Sequence, residues 1–325
     1  MPSPRSLDLL VRAAQLYYEE GRSQHEVAAA IGVSGSSVSR ILAAAREQGI
    51  VVITVRDPRR VVRREASLEV RLAERFGLSE VRVATVPNGV RTIDAAAVLA
   101  ARFFAERVEG LRRVGLGWGV TVDRFAELME LESVHPSLTI CPLVGGLPTD
   151  VGPAGNTSME VLATRAGATS YRFESPAVVE SRQTWAALQR ESSITAAIRR
   201  AELVEFAMVG IGCYGQNNAR RVVSAMRLTP REAHQLSSQS PAGDICGRFF
   251  DIEGRPLGLP TLERVIGVSL DQLRKVPEVV AVAAGAEKSP GVLGALRTGV
   301  LDGIVLDEKL ALAVLELADA VPIRP

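Results

Sequence analysis

Residues 23–48 read SQHEVAAAIGVSGSSVSRILAAAREQ, two helical stretches joined at a glycine. Ser23 is an N-cap, and Glu26 stands three residues on, the reciprocal pairing of a capping box. The first stretch, residues 24–31, stops at Gly32, and Ser34 can cap the second, which runs to Gln48 before Gly49 closes it. Ala28 is small where two helices must approach closely. Gly32 follows four residues later, where the turn favours a positive φ, and Val38 and Ile41 give the next helix an apolar inner face. Those residue types at those offsets are what a DNA-binding helix-turn-helix needs sterically. The outer face carries Ser36, Ser37, Arg40 and, a turn on, Ala44. Short hydroxyls beside one guanidinium suit a helix in the major groove, touching phosphates and base edges. Ser34, Ser36, Ser37, Arg40 and Arg46 are the candidate DNA contacts. The alternative is a helical hairpin that only packs.

Charge bears on that choice. The 325 residues carry 38 basic and 37 acidic side chains, so no uniform basic coat exists. Residues 1–64 nevertheless hold ten arginines against six acids, while the remainder is slightly acidic. A basic head on an acidic body fits a head that meets nucleic acid. Upstream of the quoted stretch, Leu9, Leu10, Ala13, Ala14, Leu16 and Tyr17 give residues 7–20 a helical period, ended by Gly21. Downstream, the β-branched run 50–55 reads as a wing-like strand, and Pro58 with the arginines of 59–64 marks a boundary. The expected organisation is therefore a helix-turn-helix (winged-helix-like) DNA-binding domain, residues 1–57, and a second domain, residues 58–325. An amphipathic helix over 65–76, with Leu68, Leu72 and Phe76 every fourth residue, is either core of that second domain or a dimer seam.

The composition, 47% hydrophobic and 23% charged, excludes a disordered chain. No apolar run reaches the roughly 18–20 residues of a membrane helix, and the N-terminus lacks a secretory pattern. Three cysteines cannot build a disulfide framework, so reduced thiols and a cytoplasmic location are expected. Cys141 and Cys246 read as core residues, and Cys213, after a glycine turn, as an exposed one.

From residue 80 onward short apolar runs alternate with helical patterns. Strands are predicted at 81–86, 114–118, 138–144, 204–211, 264–270, 279–284 and 303–306, and helices at 93–108, 122–131, 158–165, 193–200, 290–297 and 309–317. The alternation predicts an α/β fold with a parallel sheet covered on both faces, whose ligands bind beyond the carboxyl ends of the strands. Two loops at that edge stand out. In RVGLGWGVT, residues 113–121, a strand runs through glycines into a helix, a geometry that turns backbone N–H groups toward an anion, with Thr121 adding a hydroxyl. It is neither a P-loop nor a dinucleotide fingerprint, and a tight strand-helix turn would look the same. In AAGAEK, residues 283–288, Lys288 falls at a helix N-terminus. A cation is unfavourable there unless an anion is bound. It is also one of only three lysines beside 35 arginines. Asp244, in GDICG, can accept hydrogen bonds from sugar hydroxyls. Gly146 in PLVGG and Asp307 in LDE also end strands. The candidate effector contacts are Gly117, Trp118, Gly119, Thr121, Gly146, Asp244, Lys288 and Asp307, although each outlying loop is equally compatible with turn chemistry.

These residues resemble a known family. The head is similar to that of the SorC family of bacterial transcriptional regulators at Leu16-Tyr17-Tyr18-Glu19-Glu20-Gly21, residues 24–28, Ile31-Gly32-Val33-Ser34, Val38-Ser39-Arg40 and residues 45–51. The body resembles that family's sugar-binding domain at 114–121, 142–146, 209–212, 243–250, 283–288 and 306–308. The resemblance spans nearly the whole chain in order. It implies an effector domain related to sugar-phosphate isomerases such as glucosamine-6-phosphate and ribose-5-phosphate isomerase. It also implies a homo-oligomer, dimer or tetramer, that leaves or rearranges on operator DNA when a phosphorylated sugar or polyol binds. By the same resemblance residues 117–121 and Lys288 hold the phosphate and Asp244 faces the sugar. Two departures are visible: Leu306 stands where the family has threonine before the Asp-Glu pair, and the loop Cys213-Tyr214-Gly215-Gln216-Asn217-Asn218 fits no assigned pattern.

The expected function is a DNA-binding regulator, a repressor by class, of a sugar or polyol operon. The rival is a sugar-phosphate isomerase carrying a DNA-binding head, with Asp244, Asp307 or Glu308 as base. None of His25, His135 and His234 sits in a catalytic pattern, and no zinc spacing or nucleophile elbow occurs. No cofactor, metal or membrane partner is expected.

Overall fold

The computed structural model describes residues 6–51, 53, 61–147 and 157–322, with Asn217 and Asn218 described by backbone only. The chain forms two compact units, Met1–Pro58 and Arg59–Pro325. In the first, α1 (Leu7–Ala14) runs into a π-helical turn, Gln15–Glu19, and is followed by α2 (Gln24–Ile31) and α3 (Gly35–Glu47). Ser23 and Glu26 form the full capping box. Gly32 adopts φ 69°, a left-handed conformation that costs glycine nothing. It lets the chain turn 95° between α2 and α3, within the range of a helix-turn-helix. Leu10, Leu16, Val27, Val38 and Ile41 close the core of this unit. Ser34 takes the extended backbone of an N-cap but bonds no backbone N–H; its hydroxyl pairs instead with those of Ser36 and Ser37 at 3.1 and 3.0 Å. Of the wing-like strand expected at 50–55, residues 52, 54 and 55 lie outside the described residues, as do Arg59 and Arg60, and residues 50, 51 and 53 are not in a strand.

The second unit is built on β1 (Glu80–Ala84), β2 (Arg113–Leu116), β3 (Thr139–Pro142), β4 (Thr169–Ser170), β5 (Phe206–Gly210), β6 (Gly212–Cys213), β7 (Pro241–Ile245), β8 (Arg248–Asp251), β9 (Val279–Ala283) and β10 (Gly303–Asp307). Seven of these form one parallel sheet in the order β1-β10-β9-β5-β2-β3-β4. The other three, β6-β7-β8, form a small antiparallel sheet. Its helices are α4 (Ala66–Phe76), α5 (Thr92–Arg107), α6 (Val120–Leu128), α7 (Thr157–Ala166), α8 (Arg182–Leu188), α9 (Ser192–Glu202), α10 (Asn217–Ala225), α11 (Pro230–Ser237), α12 (Leu270–Leu273), α13 (Ser289–Arg297) and α14 (Glu308–Ala320).

Both faces of the large sheet are covered, which is why β9 and β10 are apolar at every position but Gly303 and Asp307. Along β9, Val279, Ala281 and Ala283 join the core beneath α4, α10, α13 and α14, while Val280 and Val282 join the core beneath α5, α6 and α7. The alternative left open for residues 65–76 is thereby settled: Leu68 and Leu72 of α4 are buried in the unit's own core. The predicted strand at 264–270 is not a strand. It makes two isolated bridges, Val178 to Val265 and Val144 to Gly267, and the carbonyls of Leu262, Val265, Gly267 and Val268 accept from the Arg248 guanidinium instead of a neighbouring strand. The small sheet was not predicted.

Between the sheet and its second helical layer, the Phe104 ring lies edge-on to Phe125 at 5.6 Å and to Phe206 at 5.7 Å, all three fully buried. Phe104→Ala should destabilise this unit by about 3–5 kcal/mol, read as a lower urea midpoint with an unchanged slope. A loss below about 1 kcal/mol would contradict this packing.

Candidate functional site

In the large sheet β2 is followed by β3 on one side, and the chain later returns to place β5 on the other. The helix after β2, α6, covers one face, and the helix after β5 and β6, α10, covers the other. A crevice must open at the carboxyl ends of β2 and β5, the switch point of such a sheet. A cleft of about 280 Å³ lies there, with Gly210, Ile211 and Gly212 in its lining.

Four helices begin at this cleft. Thr92 and Ile93 open α5; Gly119, Val120 and Thr121 open α6; Gln216 precedes α10; and Lys288 precedes α13. The starts of α5, α6 and α10 present backbone N–H groups without intrahelical partners and the positive end of a helix dipole, whereas at α13 the Lys288 and Ser289 N–H groups bond back to the carbonyls of Gly285 and Ala286, leaving the dipole alone. Lys288 is half-buried and makes no ion pair among the described residues. Burial holds its pKa below the usual lysine range, against the pull of Glu287, Cys213, Asp244 and Asp307.

Asp244 faces the same cleft from β7. The two-residue turn after β7, Cys246-Gly247, has φ values of 51° and 77°, the signature of a type I′ hairpin turn. That turn aims the Gly247 N–H at Asp244 Oδ2, 2.9 Å away. The carboxylate also lies over Gly212, where any Cβ would collide with Oδ1. Asp244 is buried, and desolvation pushes its pKa up to about 6, opposed by the Gly247 bond and by Lys288.

The structure thus brings Trp118, Gly119, Thr121, Asp244 and Lys288 into one cleft. Three other candidates are elsewhere in the local architecture. Gly117 does not line the cleft; a side chain there would press on Cys246 Sγ and Val209. Gly146 sits outside it, bonded to the Ser175 carbonyl in a bridge to Pro176. Asp307 is fully buried as the N-cap of α14: Oδ1 accepts from Lys309 and Leu310, and Oδ2 accepts from the Gly285 N–H at 2.7 Å. It therefore braces the loop carrying Lys288 rather than meeting a ligand. Cys213, expected to be exposed, is buried, and burial pushes its thiol pKa up. The unassigned loop 213–218 turns out to line the cleft, and the Gln216 amide donates to the Glu287 carbonyl at 3.2 Å. Sequence reasoning missed Thr92 and Ile93, which open α5 well beyond the end of β1 at Ala84. Trp118 Nε1–H is buried with no hydrogen-bond partner among the described residues.

In the head, Ser34, Ser36 and Arg40 are exposed and Ser37 half-buried around the start of α3, and Arg46 is exposed near its end. Arg40 Nε reaches the Ser36 carbonyl at 3.4 Å. Among the described residues no group of three or more His, Cys, Asp or Glu has the geometry of a metal site, and no single helix is long and apolar enough to cross a membrane.

Burial of Asp244 has a measurable consequence. Its folded pKa of about 6 exceeds the reference 3.8, so the native state holds that proton more tightly. The stability gained is present below about pH 4 and lost as pH rises through about 6. Asp244→Asn, which cannot ionise, should gain on the wild type by up to about 3 kcal/mol between pH 4 and pH 8 in chemical denaturation. A difference independent of pH would mean the carboxylate is not desolvated.

Residues 61–316 match the sequence family described as "Putative sugar-binding domain". The chain is 29% identical over 320 residues to the transcriptional regulator LsrR of Enterobacter sp. (strain 638), covering 96% of this chain and 94% of that one. It is 26% identical over 321 residues to the sorbitol operon regulator of Klebsiella pneumoniae, covering 96% and 98%. The crystal structure of the full-length sorbitol operon regulator SorC from Klebsiella pneumoniae superposes with a TM-score of 0.71 at 26% identity, over 95% of this chain and 100% of that one.

Proposed function

The chain belongs to the SorC family of sugar-responsive transcriptional regulators, and from that premise we propose that it binds operator DNA through α3 and is controlled by a phosphorylated sugar or polyol held in the cleft at the carboxyl ends of β2 and β5. The observation that carries this reading is the convergence of four helix N-termini and Lys288 on one cleft, beside a carboxylate. Dipole ends and an unpaired ammonium suit a phosphate. A phosphate there would give Lys288 the partner it lacks, and an ester or hydroxyl oxygen would give the Trp118 N–H an acceptor. Asp244 accepts from a hydroxyl. Gly119 and Thr121 contribute at the start of α6, and Gln216 and Asp307 steady the Lys288 loop from either side.

In the head, Ser36, Ser37 and Arg40 enter the major groove, Ser34 lies at its margin and Arg46 meets a phosphate. Heads act in pairs in a homo-oligomer, reading two half-sites one helical turn apart. A protein that works on operator DNA in a bacterium is cytoplasmic. The effector shifts the population between DNA-competent and incompetent arrangements by no more than its differential affinity for the two. Relatives along the full chain bear the names of regulators, which favours a binding role for Asp244 and Lys288 over turnover of the sugar.

The test is fluorescence anisotropy on DNA upstream of the protein's own operon, titrated with sugar phosphates. Arg40→Ala should weaken operator binding by about 1–3 kcal/mol and leave sugar-phosphate affinity unchanged. Lys288→Ala should keep operator binding and lose about 1.5–3 kcal/mol of effector affinity. Full operator affinity in the first variant, or an unchanged effector response in the second, would contradict the assignment of that residue.

A further inference from the structure

We propose that the arginine-bearing face of α10 and the start of α11 is a second contact for DNA, one that holds backbone phosphates flanking the half-sites and reads no bases. The inference rests on operator binding through α3.

The segment 216–240 reads QNNARRVVSAMRLTPREAHQLSSQS and carries four arginines against one acid, Glu232. The remainder of residues 65–325 is net negative, so positive charge is concentrated on these two helices. Glu232 does not neutralise them. Its carboxylate closes the capping box of α11 and pairs with the buried Arg264. Arg220, Arg221, Arg227 and Arg231 are all exposed. Arg227 reaches only Glu180, at 3.9 Å with both side chains mostly in water, a pairing worth little. The other three make no ion pair among the described residues. Elsewhere in this unit Arg64, Arg91, Arg107, Arg124 and Arg255 each hold a carboxylate at 2.8 Å or less.

The placement along each helix also runs against local preference. Arg220 and Arg221 stand in the first half of α10, and Arg231 is the second residue of α11, where the dipole repels a cation. Neither helix has an arginine or lysine in its last turn, where the dipole would favour one. An unfavourable position without a local partner points to an outside anion. Arg220, Ser224 and Arg227 recur at i, i+4 and i+7 along α10 and just past its end, while Ala219, Val222 and Met226 are buried. At 1.5 Å per residue that face is about 10 Å long and spans roughly three phosphates of one strand. A small anion needs convergent charge, and none of the four arginines lines the switch-point cleft. Spread cations with a hydroxyl between them suit a polyanion of regular spacing, and the operator duplex is one.

The experiment is fluorescence anisotropy of the full-length protein across a salt series of roughly 50–200 mM. It uses DNA trimmed to the two half-sites and the same DNA with flanks of arbitrary sequence. The wild type is expected to bind the flanked DNA more tightly and with a steeper salt dependence. Arg220→Ala, Arg221→Ala and Arg231→Ala together should lower the slope of log K against log salt by about 2–3 on flanked DNA. Binding there should weaken by about tenfold or more, with the trimmed DNA unaffected. Arg220→Lys, Arg221→Lys and Arg231→Lys, which keep charge but not shape, should retain the wild-type slope. If the alanine set lowers the urea midpoint, Arg220→Gln, Arg221→Gln and Arg231→Gln carry the same readout. Equal wild-type affinity for the two DNAs, an unchanged slope in the neutral variants, or an equal loss on both DNAs overturns the inference and leaves the head's role standing. So does a loss of sugar-phosphate affinity with DNA binding intact, which would assign the face to the effector site. If the folded wild type binds neither DNA, the operator reading falls and the inference falls with it.

Discussion

Parallel strands impose a polarity on everything attached to them. Each strand of the large sheet ends on the same edge, and each following helix must begin there with free N–H groups and the positive end of its dipole. On most of that edge the helix starts are spread apart. Where the chain reverses its direction of travel, between β2 and β5, they are gathered around one opening, and α5, α6, α10 and α13 all begin at it. The cleft and the positive helix ends around it follow from this connectivity more than from any single side chain.

Such a convergence has a cost that the surrounding residues manage. A lysine at a helix N-terminus opposes the dipole, and a carboxylate buried beside it resists desolvation. Lys288 and Asp244 each soften the other's burial, yet both pKa values still move toward the neutral forms. The supports lie outside the cleft. Asp307 ties the N–H of Gly285 to the start of α14, so that one buried carboxylate holds both the Lys288 loop and a helix cap. Gln216 secures the same loop through the Glu287 carbonyl. The turn between β7 and β8 holds Asp244 in place through the Gly247 N–H.

Legibility in the sequence tracked how local the determining physics is. The helix-turn-helix depends on caps and spacings within some 26 residues, and Ser23, Glu26, Ala28 and Gly32 announce it directly. The parallel sheet was readable because strands buried on both faces are continuously apolar, as in β9 and β10. The hairpin was not, because β7 begins with proline and contains Gly243 and Asp244, residues that strands disfavour. Residues 264–270 have strand composition, but a distant side chain, Arg248, occupies their carbonyls, which no local pattern reveals. Trp118, Gly119, Thr121, Asp244 and Lys288 come together because they follow strands that end at the switch point. Gly146 and Asp307 also end strands, and only the fold distinguishes a ligand-facing end from a bracing one. Cys213 looked exposed after its glycine turn, whereas the small sheet and the Glu287 carbonyl cover it.

The central claim is that one anion, held at the switch point, organises the loops that start these helices. Hydrogen exchange of the full-length protein, with and without a saturating sugar monophosphate, addresses it directly. The account predicts protection concentrated at residues 117–121, 211–217 and 284–288, with α3 of the head unprotected in the absence of DNA. Ligand binding that protects other segments instead, such as residues 256–271, would contradict it.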